Sequence, residues 1–390
     1  MSGAVVIGGY INGLGLARSL ASRGIPVALV TTSPDDIAQH SRYVLRHQPL
    51  KDFHDDPVRL IEILEGRAGQ WRGWTLIPSS DETVEIVARH GERLSSSYRL
   101  MAPTDEVARR IMDKRCGMEA ARRAGVATPK VYGLADAKSH EREDLEYPIL
   151  VKPVISHEFR QAFGGKLFVA RTRDEMARFG KLTAEAGVEC ELAEIVPGPD
   201  SNVYEYCLYV DSKGEPGPGL TVHKLRQSPQ LFGVARVAEV IPEIKQLREA
   251  AIEILRALDY RGAAGVEFKL DPRDGKFRFL EVNGRPVIFN LLLSKAGLDL
   301  VAAAWDDLNG GSVRQSQPDG WPGVWINSIA EFLYMAFRRD TPPLGWREFI
   351  APYRRPKIDA VWAPNDPLPY AAMAAGVAPA TMRKPSLRRS

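Results

Sequence analysis

The sequence predicts an α/β protein in which an N-terminal open parallel sheet precedes a larger α+β part. Two stretches carry this prediction. Residues 3–33 (GAVVIGGYINGLGLARSLASRGIPVALVTTS) follow the pattern strand, glycine-rich turn, helix, strand, which is a βαβ unit. Residues 263–289 (AAGVEFKLDPRDGKFRFLEVNGRPVIF) alternate apolar and polar side chains on both sides of a Pro-Arg-Asp-Gly turn, which predicts a β-hairpin.

Size and composition are those of an ordinary globular chain. It has 390 residues, of which 44% are hydrophobic and 26% charged, so two or three domains are expected. The net charge of +3, without a basic and aromatic stripe, argues against nucleic-acid binding. Cys116, Cys190 and Cys207 lack metal-ligand spacing, and neither a signal peptide nor a run of about 18 apolar residues is recognisable. These features predict a cytoplasmic protein.

The glycine-rich turn near the N-terminus does not have the spacing of a dinucleotide site. Its glycines follow the pattern G-G-x-x-x-G-x-G from Gly8 to Gly15, so NAD binding is not expected. The N-terminus of the helix that follows is available for an anion. Further along, LIPSSDETVEIVARHGERL predicts another strand, a turn and a helix with Ser80 or Asp81 as its N-cap. An open parallel sheet is therefore expected over about residues 1–112.

The next segment predicts two helices and then a hairpin. The second helix is expected to start near Asp113 and to stop at Gly125. Strand 149–152 ends in Lys152, a flexible stretch leads to two glycines, and strand 166–171 completes the hairpin. A lysine at the end of an apolar strand is expected to bind an anion, because an unpaired buried cation is costly.

The remaining segments alternate strands and helices. Two strands flank the Pro-Gly-Pro-Asp turn at 197–200, and residues 220–240 predict strand, mobile loop, strand. The clearest helix, at 241–260, has one apolar stripe. Its members are Ile244, Leu247, Ala251, Ile254, Leu255 and Leu258. A closing helix ends near Gly311, after which a tail rich in Trp, Phe and Arg predicts a helix packed on the body, with an active-site lid and a membrane-surface helix as alternatives.

The hairpin at 263–289 gathers oxygen-bearing side chains. Residues two apart on a strand share a face, so Glu281 and Asn283 project together, and strand pairing brings Glu267 beside them. Arg285 follows on the same face. Carboxylate and amide oxygens are the ligands that Mg²⁺ prefers, with nucleotide phosphates and water completing its shell. A solvated hairpin with ordinary surface charges is the alternative for these residues alone.

The order of these motifs resembles the ATP-grasp superfamily over about residues 1–310. The motifs are the βαβ unit, an Asp-Lys pair that opens a helix, ILVKP, a glycine hairpin, EIVPGPD, a strand Glu and E-x-N-x-R. Within the superfamily, GGYINGLGLARSL and EFRQAFGGKLFVA are most similar to carboxylate–amine ligases of the D-aspartate ligase type. The resemblance implies an N-terminal domain over 1–112, an ATP-grasp domain over 113–310 with a small subdomain at about 145–195, and a C-terminal extension of unknown role over 311–390.

The resemblance also implies roles for individual residues. Lys114 and Lys152 would bind the phosphates of ATP, with Lys166 closing over them. The adenine would meet Glu194, Ile195 and Val196, although Ala193 stands where a polar residue is often found, and Asp200 would hold the ribose. Mg²⁺, or Mn²⁺ in its place, would bind Glu267, Glu281 and Asn283. Catalysis would use Arg285, Lys166 and Arg226, and the substrate candidates are Asn12, Arg18, Ser80 and Arg160.

The implied activity is an ATP-dependent ligase. It would join a small, amino-acid-like carboxylate to an amine through an acyl phosphate, release ADP and phosphate, and close a lid at residues 228–233 against water. The alternatives are an ATP-grasp enzyme that uses bicarbonate or ammonia, and a nucleotide-binding protein without turnover. A homodimer and a peripheral membrane contact through the C-terminal tail are further expectations.

Overall fold

A computed structural model describes residues 2–50, 53–54, 56–165, 167–311, 321–337 and 344–382, without the side chains of 156, 157 and 377–382. The first part of the chain forms a five-stranded parallel sheet with strand order β3-β2-β1-β4-β5. Its strands are β1 (Ala4–Ile7), β2 (Val27–Thr31), β3 (Val44–Pro49), β4 (Thr75–Pro78) and β5 (Arg99–Leu100). The predicted open parallel sheet is confirmed.

Helices cover this sheet because its central strands are apolar throughout. All residues of β1, β2 and β4 are buried, as expected for parallel strands with both faces covered. The helices are α1 (Ile11–Ser22), α2 (Arg59–Trp71), α3 (Asp81–Arg89) and α4 (Gly91–Ser95). A Cβ atom at Gly13 would lie 2.0 Å from the carbonyl oxygen of Gly8, so only glycine allows α1 to start this close to β1.

Two helices, α5 (Asp105–Met112) and α6 (Lys114–Arg123), lead to a four-stranded antiparallel sheet with the order β6-β9-β7-β8. Its strands are β6 (Val131–Leu134), β7 (Ile149–Pro153), β8 (Phe168–Ala170) and β9 (Cys190–Glu194). Helix α8 (Arg173–Glu185) connects β8 to β9. Asp113 caps α6 and Gly125 follows its end with a positive φ, as predicted.

The stretch predicted to be flexible between β7 and β8 is instead helix α7 (Ser156–Phe163). Phe159 is fully buried, and its ring lies 4.7 Å from that of Phe163 and 4.8 Å from that of Phe168. Residues four apart lie on one face of a helix, so both aromatic rings pack together and hold this segment against β8. Gly164, at φ 67°, ends the helix.

The rest of the chain forms a seven-stranded sheet with the order β14-β13-β10-β11-β12-β15-β16. Its strands are β10 (Val203–Val210), β11 (Pro216–Ser228), β12 (Val234–Ile241), β13 (Gly262–Leu270), β14 (Phe277–Asn283), β15 (Val324–Ile326) and β16 (Lys357–Asp359). Helix α9 (Lys245–Ala257) packs on it through Leu247, Ala251, Ile254 and Leu255, which are all buried as predicted. Helices α10 (Asn290–Lys295) and α11 (Leu300–Leu308) follow the hairpin.

The C-terminal tail belongs to this body. Strand β15 pairs with β12, and β16 pairs with β15, so segments beyond residue 311 extend the large sheet; the domain boundaries themselves remain a prediction. The tail also contains α12 (Ser328–Ala336), α13 (Trp346–Ile350) and α14 (Leu368–Met382). Among the described residues, no helix is both long enough and apolar enough to span a bilayer.

Candidate active site

The hairpin of β13 and β14 places the predicted metal ligands side by side. Glu267 lies directly opposite Glu281, and Gly265 lies opposite Asn283. Glu267 is 8% exposed, whereas Glu281 and Asn283 are half-buried. The described residues contain no cluster of three His, Cys, Asp or Glu side chains suited to a metal. Two carboxylates and an amide nevertheless fit Mg²⁺, because nucleotide phosphates and water supply its remaining oxygen ligands.

Two further charged residues lie beside this hairpin, and sequence reasoning gave neither of them a role. Glu205 on β10 lies opposite Glu267. The ammonium of Lys224 on β11 contacts Glu205 at 2.8 Å and also contacts the Glu267 carboxylate. Asn283 donates from Nδ2 to Glu205 at 3.1 Å. Single charged residues inside otherwise apolar strands were the available signal, but the strand order that joins them was not evident from the sequence.

Burial and the neighbouring charges have opposite effects on the pKa values of Glu267 and Lys224. Burial raises the pKa of Glu267; Lys224 opposes that effect, and the nearby Glu281 and Glu205 carboxylates add to it, so the pKa stays above its ordinary value. Burial would lower the pKa of Lys224, but Glu205 and Glu267 raise it, and the side chain remains an ammonium. The cluster thus holds a permanent positive charge between two carboxylates.

The two predicted phosphate lysines lie on elements outside the hairpin, Lys152 on β7 and Lys114 on α6. Lys152 on β7 is 7% exposed, with its ammonium 3.5 Å from a carboxylate oxygen of Glu191. Burial lowers the pKa of Lys152, Glu191 opposes this, and the positive charge of Lys114 adds to the lowering. The negative charge of Glu281 also raises the pKa of Lys152. The charges of Lys114, the first residue of α6, and of Glu281 on the hairpin therefore both reach Lys152.

Arg285 and Arg160 converge on the N-terminus of α3. Arg285 donates from Nε and Nη2 to the two oxygens of Asp81, at 2.7 and 3.3 Å. Arg160 bonds to Glu82 at 2.7 Å. The surrounding protein disfavours the charged form of Asp81, but Arg285, Arg160 and Lys114 outweigh this effect and lower its pKa. Asp81 is 56% exposed, so this cluster of opposite charges is open to a ligand.

Ser80 and Asn12 have structural roles in the same region. The Ser80 hydroxyl accepts a hydrogen bond from the Thr83 amide and caps α3, as expected for one of the two cap candidates. Asn12 donates to the carbonyl oxygens of Ser79, at 2.7 Å, and Pro286, at 3.0 Å, which fixes α1 to the end of the hairpin. Its Oδ1 is buried without a hydrogen-bond partner. Asn12 therefore remains a candidate for a substrate contact.

The residues predicted to meet adenine and ribose lie where the chain passes from the four-stranded to the seven-stranded sheet. The Glu194 carboxylate accepts from the Lys130 amide at 2.9 Å and pairs with Arg273 at 3.0 Å, while Val196 is buried and Ile195 half-buried. An adenine contact in this segment therefore relies on backbone groups.

Asp200 is 5% exposed, and its carboxylate is already engaged. It accepts hydrogen bonds from the amides of Gln227, at 2.8 Å, and Leu231, at 2.7 Å. Its observed role is to hold the loop between β11 and β12. The ribose contact remains a prediction.

Two predicted site residues are occupied elsewhere. Arg18 is 8% exposed and bonds to Asp366 and to the carbonyl oxygen of Val361, so its observed role is to hold the C-terminal segment, and the substrate contact stays a prediction. Arg226 pairs with the fully buried Glu331 of α12 at 2.6 Å. The observed role of Arg226 is to neutralise that buried carboxylate, and its catalytic role stays a prediction. Lys166 lies outside the described residues.

A cavity of about 410 Å³ lies between the turn that follows α7 and the loop that joins β11 to β12. On one side it is lined by Arg160 and the glycine turn Gly164–Gly165, and on the other by Pro229 and Phe232 of the β11–β12 loop. The Ser228 hydroxyl, at the base of that loop, donates to the Tyr334 hydroxyl of α12 at 3.1 Å. The predicted lid thus faces the small sheet across an open gap.

Comparison with known proteins adds sequence relatives. Residues 240–306 match the family described as carbamoyl-phosphate synthase L chain, ATP binding domain. The chain is also 24% identical over 320 residues to D-aspartate ligase of Enterococcus faecium, a match that covers 78% of this chain and 76% of the relative.

Solved structures share the architecture at lower identity. L-amino acid ligase from Bacillus licheniformis superposes with a TM-score of 0.63 at 16% identity, over 83% of this chain and 78% of that one. The biotin carboxylase domain of Hydrogenobacter thermophilus 2-oxoglutarate carboxylase, a dimer in complex with MgADP, ADP and bicarbonate, gives a TM-score of 0.64 at 18% identity, over 81% and 72%.

Proposed function

We propose that this chain is an ATP-grasp ligase, which joins a carboxylate to an amine through an acyl phosphate and releases ADP and phosphate; the family match at 240–306 and the likeness to two amino-acid ligases support this. The observation that carries this proposal is the hairpin on which Glu267 lies opposite Glu281, with Asn283 two residues further along β14 and with Glu281 close enough to Lys152 for their charges to interact. Its acidic ligands and basic side chains suit a nucleotide triphosphate with a divalent ion.

The chain's own residues neutralise and align the phosphates. Phosphoryl transfer needs little covalent help from a protein but does require the attacking and leaving oxygens to be in line. Lys114 and Lys152 hold the ATP phosphates, and Arg285 lies where the transferred phosphoryl group or the carboxylate being activated binds. Glu267, Glu281 and Asn283 would hold Mg²⁺, and the ion would add to the charge neutralisation.

The chemistry follows from the poor reactivity of a carboxylate. An oxygen of the acid attacks the γ-phosphorus of ATP, the bond from that phosphorus to the β,γ-bridging oxygen breaks, and ADP leaves. The amine then attacks the acyl carbon, loses a proton, and displaces phosphate to form an amide. Each step exchanges one leaving group for one nucleophile, so no redox partner is needed.

Arg285 is the residue best placed to respond to substrate. Its two bonds to Asp81 pre-orient the planar guanidinium, which is able to pair in a bidentate way with a phosphoryl group or a carboxylate. Exposure of Asp81 lets an incoming anion compete for the guanidinium.

Water must be kept from the acyl phosphate, which would otherwise hydrolyse. The β11–β12 loop is positioned for this by Asp200 and by the Ser228–Tyr334 contact, and it faces the glycine turn across the open cavity. We assign lid closure to these two loops.

Substrate class and setting are part of the proposal. Amino-acid-like acids and amines are supported by the relatives named D-aspartate ligase and L-amino acid ligase. A homodimer is supported by the dimeric carboxylase domain, and a cytoplasmic location by the free thiols of Cys116, Cys190 and Cys207.

The test is ADP release from ATP and Mg²⁺ in the presence of amino acids and small carboxylic acids, supplied singly and in pairs. Turnover that requires one acid and one amine is the expected result. AMP and pyrophosphate as products would contradict the proposal. Turnover that depends on bicarbonate without an amine would instead support the carboxylase alternative, which the structural likeness to a carboxylase domain keeps open.

A further inference from the structure

A second cavity, of about 330 Å³, is lined by Arg285. Most of its wall comes from residues 100–104 after β5, the end of β10, residues 259–263 at the start of β13, and residues 284–286 after β14. Cavities of roughly 300–1,000 Å³ with mainly apolar walls and a few polar groups are typical small-molecule sites.

The cavity lies at the edge of the N-terminal sheet where a ligand is expected. Strands β4 and β5 are parallel neighbours, and the chain leads from their carboxyl ends to Asp81 and to the cavity wall at 100–104, respectively. Ligands of open parallel sheets bind outside the carboxyl ends of the strands. Arg285 both lines the cavity and bonds to Asp81, so it connects the two strand ends.

Arg285 has a donor nitrogen left for a ligand. Its bonds to Asp81 use Nε and Nη2, and Nη1 makes no hydrogen bond within the described part of the chain. Burial alone would lower the pKa of Arg285, but Asp81, Glu205 and Glu281 raise it, so the guanidinium stays charged. A planar cation with a free edge is suited to a carboxylate.

The acidic side chains that line the cavity are already paired. Asp307 accepts hydrogen bonds from the Tyr209 hydroxyl at 2.8 Å and from the amide and hydroxyl of Ser212 at 2.8 and 3.0 Å. Asp259 is 67% exposed and lies 3.9 Å from Arg261. Much of the remaining wall is apolar, with Leu100, Met101, Val107, Val210, Pro286 and Leu308.

The wall at 259–263 is fixed by the protein itself. Asp259 and Gly262 have positive φ angles of 53° and 123°, and the Tyr260 hydroxyl donates to the Ala263 carbonyl oxygen at 2.8 Å. Such backbone conformations persist where the surrounding structure holds them, and they are found at ligand sites. The cavity is therefore formed before a ligand enters.

We propose that this cavity receives the body of the acid substrate, and that the acid is a monocarboxylic acid with an apolar aliphatic or aromatic group, whose carboxylate pairs with Arg285. The inference deepens the proposed function and rests on it, because it names the class of acid that the ligase activates. It makes the residues of the cavity wall the determinants of acid specificity.

The first test compares acids of increasing apolar size on the full chain. Dissociation constants of acetate, hexanoate and 3-phenylpropanoate are measured by ligand-observed NMR titration in the presence of a non-hydrolysable ATP analogue and Mg²⁺. Hexanoate and 3-phenylpropanoate should bind at least about tenfold more tightly than acetate, because their apolar groups leave water. Equal affinities, stronger binding of acetate, or no binding of the two larger acids would overturn the inference.

A filled cavity locates the bound acid. Ala102→Phe adds a ring to a half-buried position of the wall and should weaken 3-phenylpropanoate by at least about fivefold while leaving acetate unchanged. Ala371→Phe, at an exposed position of α14, is the matched control and should change neither. Unchanged binding to Ala102→Phe, or the same loss in both variants, would contradict the inference. The comparison of acids in the wild type depends on neither variant.

The role of Arg285 is tested with the neutral amide of the aromatic acid. 3-Phenylpropanamide keeps the ring but lacks the negative charge, so it should bind the wild type more weakly than 3-phenylpropanoate. Arg285→Met should remove that difference, because the methionine cannot pair with a carboxylate. Equal binding of acid and amide to the wild type would overturn the pairing with Arg285.

Failure of this inference and failure of the proposed function are distinguishable. Release of ADP that requires an amine and a small or dicarboxylic acid, with no binding of the apolar acids, would contradict the cavity's role but agree with a ligase. Apolar acids that bind in the cavity, as shown by Ala102→Phe, but support no ADP release with any amine would support the site and contradict the proposed reaction.

Discussion

Acidic side chains around the hairpin are each held by a basic side chain from a different element. Lys224 of β11 contacts Glu267, Arg285 contacts Asp81 of α3, and Lys152 lies near Glu191 of β9. If the proposed nucleotide binds here, these pairs hold the basic groups in place beforehand, which lowers the reorganisation that phosphate binding requires. Phosphate oxygens would then compete with the carboxylates for the basic side chains.

Glu281→Ala tests the role of the hairpin in chemistry. We expect ADP formation to fall by about 10²–10³ or more, because a charge-positioning contact is lost. The free energy of unfolding should change by less than about 1 kcal/mol, since Glu281 is only half-buried. Activity assays with urea unfolding measure both. A large loss of stability that parallels the loss of activity would show that Glu281 is structural.

Gly265→Ala tests the space that Glu205 occupies. The added methyl group would overlap Glu205 and Val287, and overpacking of this kind costs about 1–3 kcal/mol of unfolding free energy. Gly69→Ala in α2 is the control: no atom lies within 4 Å of its Cβ position, and alanine is expected to be neutral or stabilising there. Chemical denaturation compares the two. Equal stability of both variants would contradict the observed packing.

Among the elements, the β11–β12 hairpin contacts the metal-site carboxylates, helix α12 and Asp200. Its strands contribute Lys224 to the metal-site cluster, Arg226 and Arg236 to the buried Glu331 of α12, and a loop fastened by Asp200. Arg236 also lies 3.9 Å from the centre of the Tyr334 ring. Helix α12 of the tail is therefore fixed to the strands that carry the predicted lid.

The same hairpin has a pH-dependent ion pair. Burial alone would lower the pKa of His223, but the Glu239 carboxylate and the Ser201 carbonyl raise it above 6.5; hydrogen bonding from His223 lowers the pKa of Glu239 below 4.5. The histidine contribution is complete below pH 6.5 and is lost as pH rises through its folded pKa. The glutamate contribution is present above pH 4.5 and is lost as pH falls.

His223→Phe should therefore destabilise the protein more at pH 5.5 than at pH 8.5. Phenylalanine keeps a ring against Tyr204, which lies 4.7 Å from the His223 ring in a stacked arrangement. Urea unfolding at both pH values gives the difference. The control His40→Phe changes an exposed histidine, and the same pH difference in that variant would refute the assignment.

Helices and strands could be predicted where the hydrophobic periodicity was strong, but the order of the strands within each sheet could not. The apolar stripe of α9 and the alternation of β13 and β14 predicted those elements correctly. Helix α7 was missed because the adjacent glycines and polar residues indicated a loop, while the packing of Phe159 on Phe168 requires tertiary contact. Likewise Glu205 lies beside Glu267 only because β10 pairs with β13, and the two residues are 62 positions apart in the sequence.

At the scale of the whole molecule, the C-terminal segment ties the large sheet to the N-terminal sheet. Asp366 is 1% exposed and accepts bonds from Arg18 of α1, the Ser41 hydroxyl and the Arg42 amide. Strands β15 and β16 of the same tail complete the seven-stranded sheet. The tail therefore connects the N-terminal sheet to the seven-stranded sheet through contacts between residues that are far apart in sequence.

Asp366→Ala should destabilise the protein by about 3–5 kcal/mol, because it leaves the buried Arg18 guanidinium without its counter-charge. Glu65→Ala, which breaks an ion pair with Arg93 whose partners are 45% and 53% exposed, should cost less than about 1 kcal/mol. Thermal and urea unfolding compare them. Similar small losses in both variants would indicate that the C-terminal segment is not fastened as observed.

The central claim is that the γ-phosphoryl group of ATP passes to a carboxylate. The direct measurement uses the acid and amine that support turnover, with ¹⁸O in both carboxylate oxygens, and mass spectrometry of the released phosphate. Attack by the carboxylate on the γ-phosphorus transfers one ¹⁸O atom to each phosphate, which is the predicted result. Unlabelled phosphate, or ¹⁸O recovered in AMP, would contradict the account.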